Sequence, residues 1–144
     1  MDFHTDLKAI LKPLADYIDN YKWIASDLEL NTSVLDKLPI NHDADYFVLS
    51  AKEIRAILDN WVQVIWGVFI AVPKDVIISI NDDNLPYVET NPLIWKNGNL
   101  QHPYAEIEII CVDSGYTIVK FTNQHLSNQF KSYFTEAFEL EEFL

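Results

Sequence analysis

Hydrophobic and polar positions change period several times along the chain, and the longest apolar run, WVQVIWGVFIAV at 61–72, sets the frame for the rest. One alternation carries Val62, Val64, Trp66, Val68, Ile70 and Val72; the other carries Trp61, Gln63, Ile65, Gly67, Phe69 and Ala71. A strand that is mostly apolar on both alternations is a central strand covered above and below, and its β-branched residues favour strand over buried helix. Gly67 marks a bulge or a close backbone approach within it, and Pro73 ends it.

Before this strand, Phe3, Leu7, Ile10, Leu11, Leu14, Ile18 and Tyr21 fall at three- and four-residue spacings, the stripe of an amphipathic helix. Pro13 either kinks that helix or divides it into a short helix ending near Leu11 and a second with Pro13 in its first turn. A loose alternation predicts a strand over 23–30, followed by a polar connection over 31–45 and a short strand over 46–49. Ser50 and Glu53 form a capping box while Leu49 and Ile54 occupy the positions of a hydrophobic staple, so a helix starts at Ser50 and runs to about Asn60.

After the central strand, 76–80 reads as another strand. Residues 81–103 hold three of the six prolines and five asparagines. Irregular segments of that length are functional or lie across a core face, and Tyr87 and Trp95 point to a covering role. Residues 104–121 read as a hairpin. A three-residue loop at Asp113-Ser114-Gly115 with Gly115 left-handed sets Val112 against Tyr116, Ile110 against Ile118 and Glu108 against Lys120 on one face; Cys111 meets Thr117, Ile109 meets Val119 and Ile107 meets Phe121 on the other.

The last helix is predicted to start near Thr122 as its cap, with Phe121 and Leu126 as a staple and a stripe of Leu126, Phe130, Tyr133, Phe134, Ala137 and Leu140. Glu136, Glu139, Glu141 and Glu142 would then crowd the negative end of the helix dipole, unless the helix stops before them. Helices at the N-terminus, middle and C-terminus around a largely antiparallel sheet predict one α+β domain over residues 1–144.

Composition sharpens this picture at four points. A chain of 144 residues with 49% hydrophobic content is globular and large enough for its own core. The run at 61–72 is too short for a membrane-spanning helix, so no membrane association is expected. The N-terminus lacks the basic start and unbroken apolar stretch of a secretory signal, and a lone cysteine, Cys111, makes no internal disulfide; both predict a cytoplasmic protein. The net charge of −12 disfavours nucleic acid and anionic membranes and draws in basic partners. It serves either solubility or partner selection.

Candidate chemistry is sparse. His42, Asp43 and Asp45 cluster in a polar loop without the spacing of a metal motif, and Asp82 and Asp83 lack the pattern of a calcium loop. Glu106 and Glu108 have a spacing open to glycosidase chemistry but read better as solvent-facing alternates of the hairpin, with Lys120 as a cross-strand partner of Glu108. Cys111 falls among isoleucines and reads as a core residue. No glycine-rich phosphate loop, nucleophile elbow or metalloprotease pattern occurs. No catalytic residue, metal or cofactor is assigned.

The segments WGVFIAVPK, NPLIWKNGNLQHPYAEIEIICVDSGYT and FKSYFTEAFELEEFL resemble those of small, acidic, mostly uncharacterised bacterial proteins of the immunity-protein type, found in toxin–immunity systems. The resemblance spans roughly residues 46–144, and Trp95, Gln101, His102 and Asp113 are motif positions within it. It implies a non-enzymatic inhibitor of a basic, toxin-like protein partner. The partner surface is expected on the long segment and its surroundings, at Asp82, Asp83, Tyr87, Glu89, Trp95 and His102. Two other readings are a small-molecule site or enzyme with a pocket between the sheet and the 81–103 loop, using Trp66, Trp95 and Tyr104, and a homodimer joined through an apolar sheet face.

Overall fold

The computed structural model describes residues 5–41 and 43–143; Phe3 of the N-terminal stripe and His42 of the candidate metal cluster lie outside the described residues. The chain forms an antiparallel sheet of β1 (Tyr21–Asn31), β2 (Tyr46–Leu49), β3 (Gln63–Pro73), β4 (Ile107–Val112) and β5 (Tyr116–Phe121), in the order β2-β1-β3-β4-β5. Helices α1 (Leu7–Leu11), α2 (Ala51–Leu58) and α3 (Gln124–Tyr133) complete an α+β fold. The 61–72 run supplies the central strand as its composition predicts, because only the middle of a sheet offers apolar cover on both faces.

Pro13 divides the N-terminal stripe. α1 ends at Leu11, and a 3-10 helix over Lys12–Asn20 follows with Pro13 at its start, where a missing N–H costs nothing. Leu7, Ile10, Leu11, Leu14 and Ile18 from these turns pack on one sheet face with Ile54 and Ile57 of α2 and Leu126 and Phe130 of α3. α2 begins at the predicted cap: Glu53 N donates to Ser50 Oγ at 3.1 Å and Ser50 N donates to Glu53 Oε1 at 3.0 Å.

The central strand does not keep one alternation throughout. Val62 and Val64 lie on the helix side with Phe69 and Ala71, whereas Val68, Ile70 and Val72 lie on the opposite side with Trp66 packed against them. Two register breaks against β1 cause the switch. Between the pairs Ser26–Val68 and Glu29–Trp66, β1 has an extra residue, and between Glu29–Trp66 and Leu30–Val64, β3 has one. Asp27 takes the left-handed conformation in the first break, with φ 55°. Gly67 sits beside it as a close approach: a Cβ there would stand 2.6 Å from Leu28 Cδ2.

Three local expectations are corrected. Residues 76–80 pair with no strand: Ile78 and Ile80 pack against the second sheet face while Ile77 is 89% exposed, so the alternation is real but the segment lies on a face instead of extending an edge. α3 is capped by Asn123, whose Oδ1 accepts from His125 N and Leu126 N, because the helix starts one residue later than Thr122 would require. The helix ends at Tyr133, short of the predicted stripe positions Ala137 and Leu140; Glu136, Glu139, Glu141 and Glu142 therefore lie beyond it and do not oppose its dipole, in line with the alternative that the helix stops before them.

The hairpin register matches the predicted one at all six pairs from Ile107–Phe121 to Val112–Tyr116. Its turn differs: Asp113 (φ 48°) and Ser114 (φ 58°) are left-handed, not Gly115. Aspartate tolerates that region through local hydrogen bonding, and the turn is held by Gly115 N donating to Val112 O and Ser114 N donating to Ile65 O. No helix of the described residues is long and apolar enough to cross a membrane.

Candidate functional site

The second sheet face, built from Ile24, Val68, Ile70, Val72, Ile110 and Ile118, is covered by the irregular chain that follows β3, which buries Val88, Ile94 and Ala105 against it. Irregular backbone laid on a core has polar groups that need partners. The sheet supplies them. Lys120 Nζ donates to Asn99 O at 2.7 Å, Lys96 O at 3.1 Å and Leu93 O at 3.3 Å. Glu108 Oε1 accepts from Gln101 N at 2.7 Å, Ser26 Oγ donates to Pro86 O at 2.6 Å, and Asp27 Oδ2 accepts from Val88 N at 2.9 Å.

Within the segment, Gln101 Oε1 accepts from Tyr87 N and Asn91 Nδ2. Asn91 also caps the 3-10 turn Pro92–Trp95 through Leu93 N. The whole stretch from 86 to 101 is therefore tied both to itself and to the sheet.

These contacts overturn the solvent-facing reading of the hairpin acids. Glu108 is fully buried and Lys120 is 5% exposed. They stand opposite one another as predicted, yet Lys120 spends its donors on three loop carbonyls. Burial raises the Glu108 carboxyl above the usual range, outweighing the Gln101 N–H, Lys120 and the Gln101 side chain; burial likewise lowers Lys120, with Glu108 opposing. Glu108 Oε2 and Gln101 Nε2 are buried without a hydrogen-bond partner. Glu106 instead accepts from the Tyr21 hydroxyl at 3.1 Å, so the two glutamates do not form one carboxylate pair; burial, then Glu106, pushes the Tyr21 hydroxyl up to about 12.

The six residues expected at a partner surface divide into two groups. Asp82, Asp83, Tyr87 and Glu89 are exposed on the segment. His102 is buried, its Nδ1 accepting from Tyr104 N at 3.1 Å and its imidazole pKa lowered by burial, so it is a turn anchor and not a surface contact. Trp95 is half-buried, stacked on Phe143 at 5.1 Å and edge-on to Tyr116 at 6.1 Å.

Among the described residues no group of three potential metal ligands assembles; Asp43 and Asp45 are exposed, and His42 lies outside the description. The Cys111 thiol is buried and pushed up to about 12 by that burial, which keeps it a core residue. The space between sheet and segment, where Trp66, Trp95 and Tyr104 were expected to frame a pocket, is filled by Val88, Ile94 and Ala105, and Tyr104 is 60% exposed. Cavities occur elsewhere: one of about 230 Å³ under the β1 bulge beside Asp27, Ile40 and Phe47, and an open groove of about 1030 Å³ beside β5.

Sequence reasoning missed Ser26 and Asp27, took Gln101 only as a motif position, and missed the loop-holding role of Glu108 and Lys120. A signal existed for the last two, since they interrupt an otherwise apolar alternation with Ile110 and Ile118. In comparisons with known proteins, no family model matches this chain, and neither a curated protein nor a solved structure matches it.

Proposed function

We propose that this chain is a non-enzymatic protein-binding module, an immunity-like inhibitor that neutralises a basic, toxin-like partner met in the cytoplasm. The observation that carries this reading is the pinned segment: from 86 to 101 its backbone is held from beneath by Lys120, Glu108, Ser26 and Asp27 while Tyr87 and Glu89 face outward, and Asp82 and Asp83 are exposed on the adjoining turn, which Asn81 and Asn84 hold through their own hydrogen bonds. A surface ordered before binding avoids the entropy of ordering a loop at the moment of association. Exposed carboxylates on a chain of net charge −12 steer a basic partner, and a tyrosine among them supplies an amphipathic anchor.

The test is co-expression of the chain with the proteins encoded beside it, followed by capture and elution on a salt gradient. A basic partner released by rising salt is expected, and the triple charge reversal Asp82→Lys, Asp83→Lys, Glu89→Lys should slow its association at least tenfold while leaving the fold intact. A partner that binds the triple variant with unchanged kinetics overturns this assignment of the surface.

A further inference from the structure

The ladder between β1 and β2 ends at the pair Ser26–Tyr46, whereas β1 continues against β3 as far as Asn31. The cavity of about 230 Å³ opens between this continuation and the 35–45 connection. Its apolar walls are Leu28, Leu30, Leu35, Ile40 and Phe47, all half-buried, and all but Leu35 pack at the margin of the helix-side core. Beyond the last pair the next residues are Asp27 on β1 and Asp45 before β2, and both line the cavity.

Stability alone does not account for this combination. Like charges side by side on neighbouring strands are destabilising. Among the described residues neither carboxylate is in an ion pair, and no lysine or arginine lines the cavity to offset them. The end of the strand that carries Asp45 is fixed, since its backbone oxygen accepts from Ser26 Oγ at 3.4 Å. The volume also selects the occupant: it falls below the range of roughly 300–1,000 Å³ usual for small-molecule sites and suits a single side chain.

The cavity adjoins the pinned segment. Ser26 Oγ donates to Pro86 O and Asp27 Oδ2 accepts from Val88 N, so two of the lining residues hold the backbone on either side of the exposed Tyr87, with the exposed Glu89 next in the chain. A concave site and a convex acidic surface therefore meet at these two bonds.

We infer that this cavity is the anchor pocket of the partner surface and takes one arginine side chain of a basic protein. The aliphatic stem lies along the leucines and Ile40, the guanidinium plane meets Phe47, and its N–H groups reach Asp27 and Asp45. A guanidinium presents five donors in a rigid fork, serves two carboxylates at once, stacks on aromatic rings and is less strongly hydrated than an ammonium. Arginine held in a pocket is among the residues that carry most of the binding energy at protein interfaces. That the occupant belongs to a basic protein rests on the reading given above; the pocket itself rests on the cavity and its charge.

The probe is N-acetyl-arginine amide, compared with its citrulline analogue, which keeps the shape and lacks the charge. Titration is followed by amide NMR shifts at about 0.15 M salt, where exposed charges more than about 8 Å apart are screened. Saturable shifts centred on residues 26–30 and 40–47 are expected, with binding at least fivefold weaker for the citrulline analogue. Asp27→Asn keeps an acceptor for Val88 N and tolerates the left-handed backbone, so it should fold and weaken the probe at least fivefold. Ala44→Leu, which fills the cavity without changing charge, should do the same; circular dichroism checks both folds. The charge reversal at 82, 83 and 89 should leave probe binding unchanged, whereas Asp27→Asn with Asp45→Asn should weaken the co-expressed basic partner at least tenfold. A partner that ignores the triple reversal but loses affinity for the double variant supports the pocket and retires the loop surface, so the two fail separately. Absent saturation, equal binding of the citrulline analogue, shifts confined to 81–90, or a partner indifferent to the double variant overturns the inference; the last, with the probe still bound, assigns the pocket to a free guanidinium compound.

Discussion

Glu108 and Lys120 face each other across the β4–β5 ladder, yet each is committed to the backbone of the segment lying over them, Glu108 to Gln101 N and Lys120 to the carbonyls of Leu93, Lys96 and Asn99. A residue pair that looks like surface decoration in the hairpin is in fact the attachment point of the covering segment.

Lys120→Met should loosen that attachment. Methionine fills similar space but leaves three inward carbonyls without their donor, and buried groups stripped of a partner cost about 1–3 kcal/mol. Chemical denaturation should show a loss of that size, and hydrogen exchange should accelerate around 93–101 before it does in β3. Uniform acceleration across the molecule would show that Lys120 holds the whole fold, not the segment.

Glu108 gives a pH dependence of definite sign. Its folded pKa is raised by burial, so the folded state favours the protonated acid. The stability it contributes is full below the unfolded glutamate pKa, about 4.3, and is lost as pH rises through the raised folded value. Lys120, lowered by burial, is the facing charge and acts in the opposite sense at alkaline pH. Glu108→Gln, which keeps the acceptor for Gln101 N, should match the parent near pH 4 and exceed it in stability at pH 8. Thermal unfolding of both proteins at the two pH values decides this; a variant less stable at pH 8 would contradict the sign.

Gly67 should show a specific coupling to Leu28. Because a Cβ at position 67 would stand 2.6 Å from Leu28 Cδ2 and 3.1 Å from Val64 Cγ1, Gly67→Ala is expected to cost about 1–3 kcal/mol, the usual range for overpacking. Leu28→Ala should absorb part of that cost, giving a double-mutant cycle with a favourable interaction term. Additive effects would place the strain elsewhere.

The hairpin turn separates two glycine arguments. Gly115 does not take the left-handed conformation, and a Cβ there meets nothing nearer than 3.8 Å, so Gly115→Ala should change stability by under about 0.5 kcal/mol. Ser114 does take it, and Ser114→Gly should stabilise by about 0.5–1 kcal/mol. Denaturation midpoints of the two variants test the pair; the reverse ranking would restore the turn expected from sequence.

Much of the fold was legible along the chain because the responsible forces act between near neighbours. The capping box at Ser50 and Glu53 needs three residues, the division at Pro13 needs one missing N–H, and the register from Ile107–Phe121 to Val112–Tyr116 follows from turn length and matched side chains. The apolar composition of 61–72 was enough to place it mid-sheet.

What only the tertiary structure decided concerns which surfaces see water. Sequence alternation put Glu108 and Lys120 on one face of the hairpin correctly but could not show that residues 93–101 seal that face. It gave 76–80 a strand period without revealing that the segment would lie on the sheet and not join it. It assigned Val62 and Val64 to the side of Val68, because paired irregularities in two strands reverse alternation only when those strands meet. Periodicity specifies the two sides of an element, whereas burial of either side depends on chain arriving from far away in sequence, and that is settled only by packing.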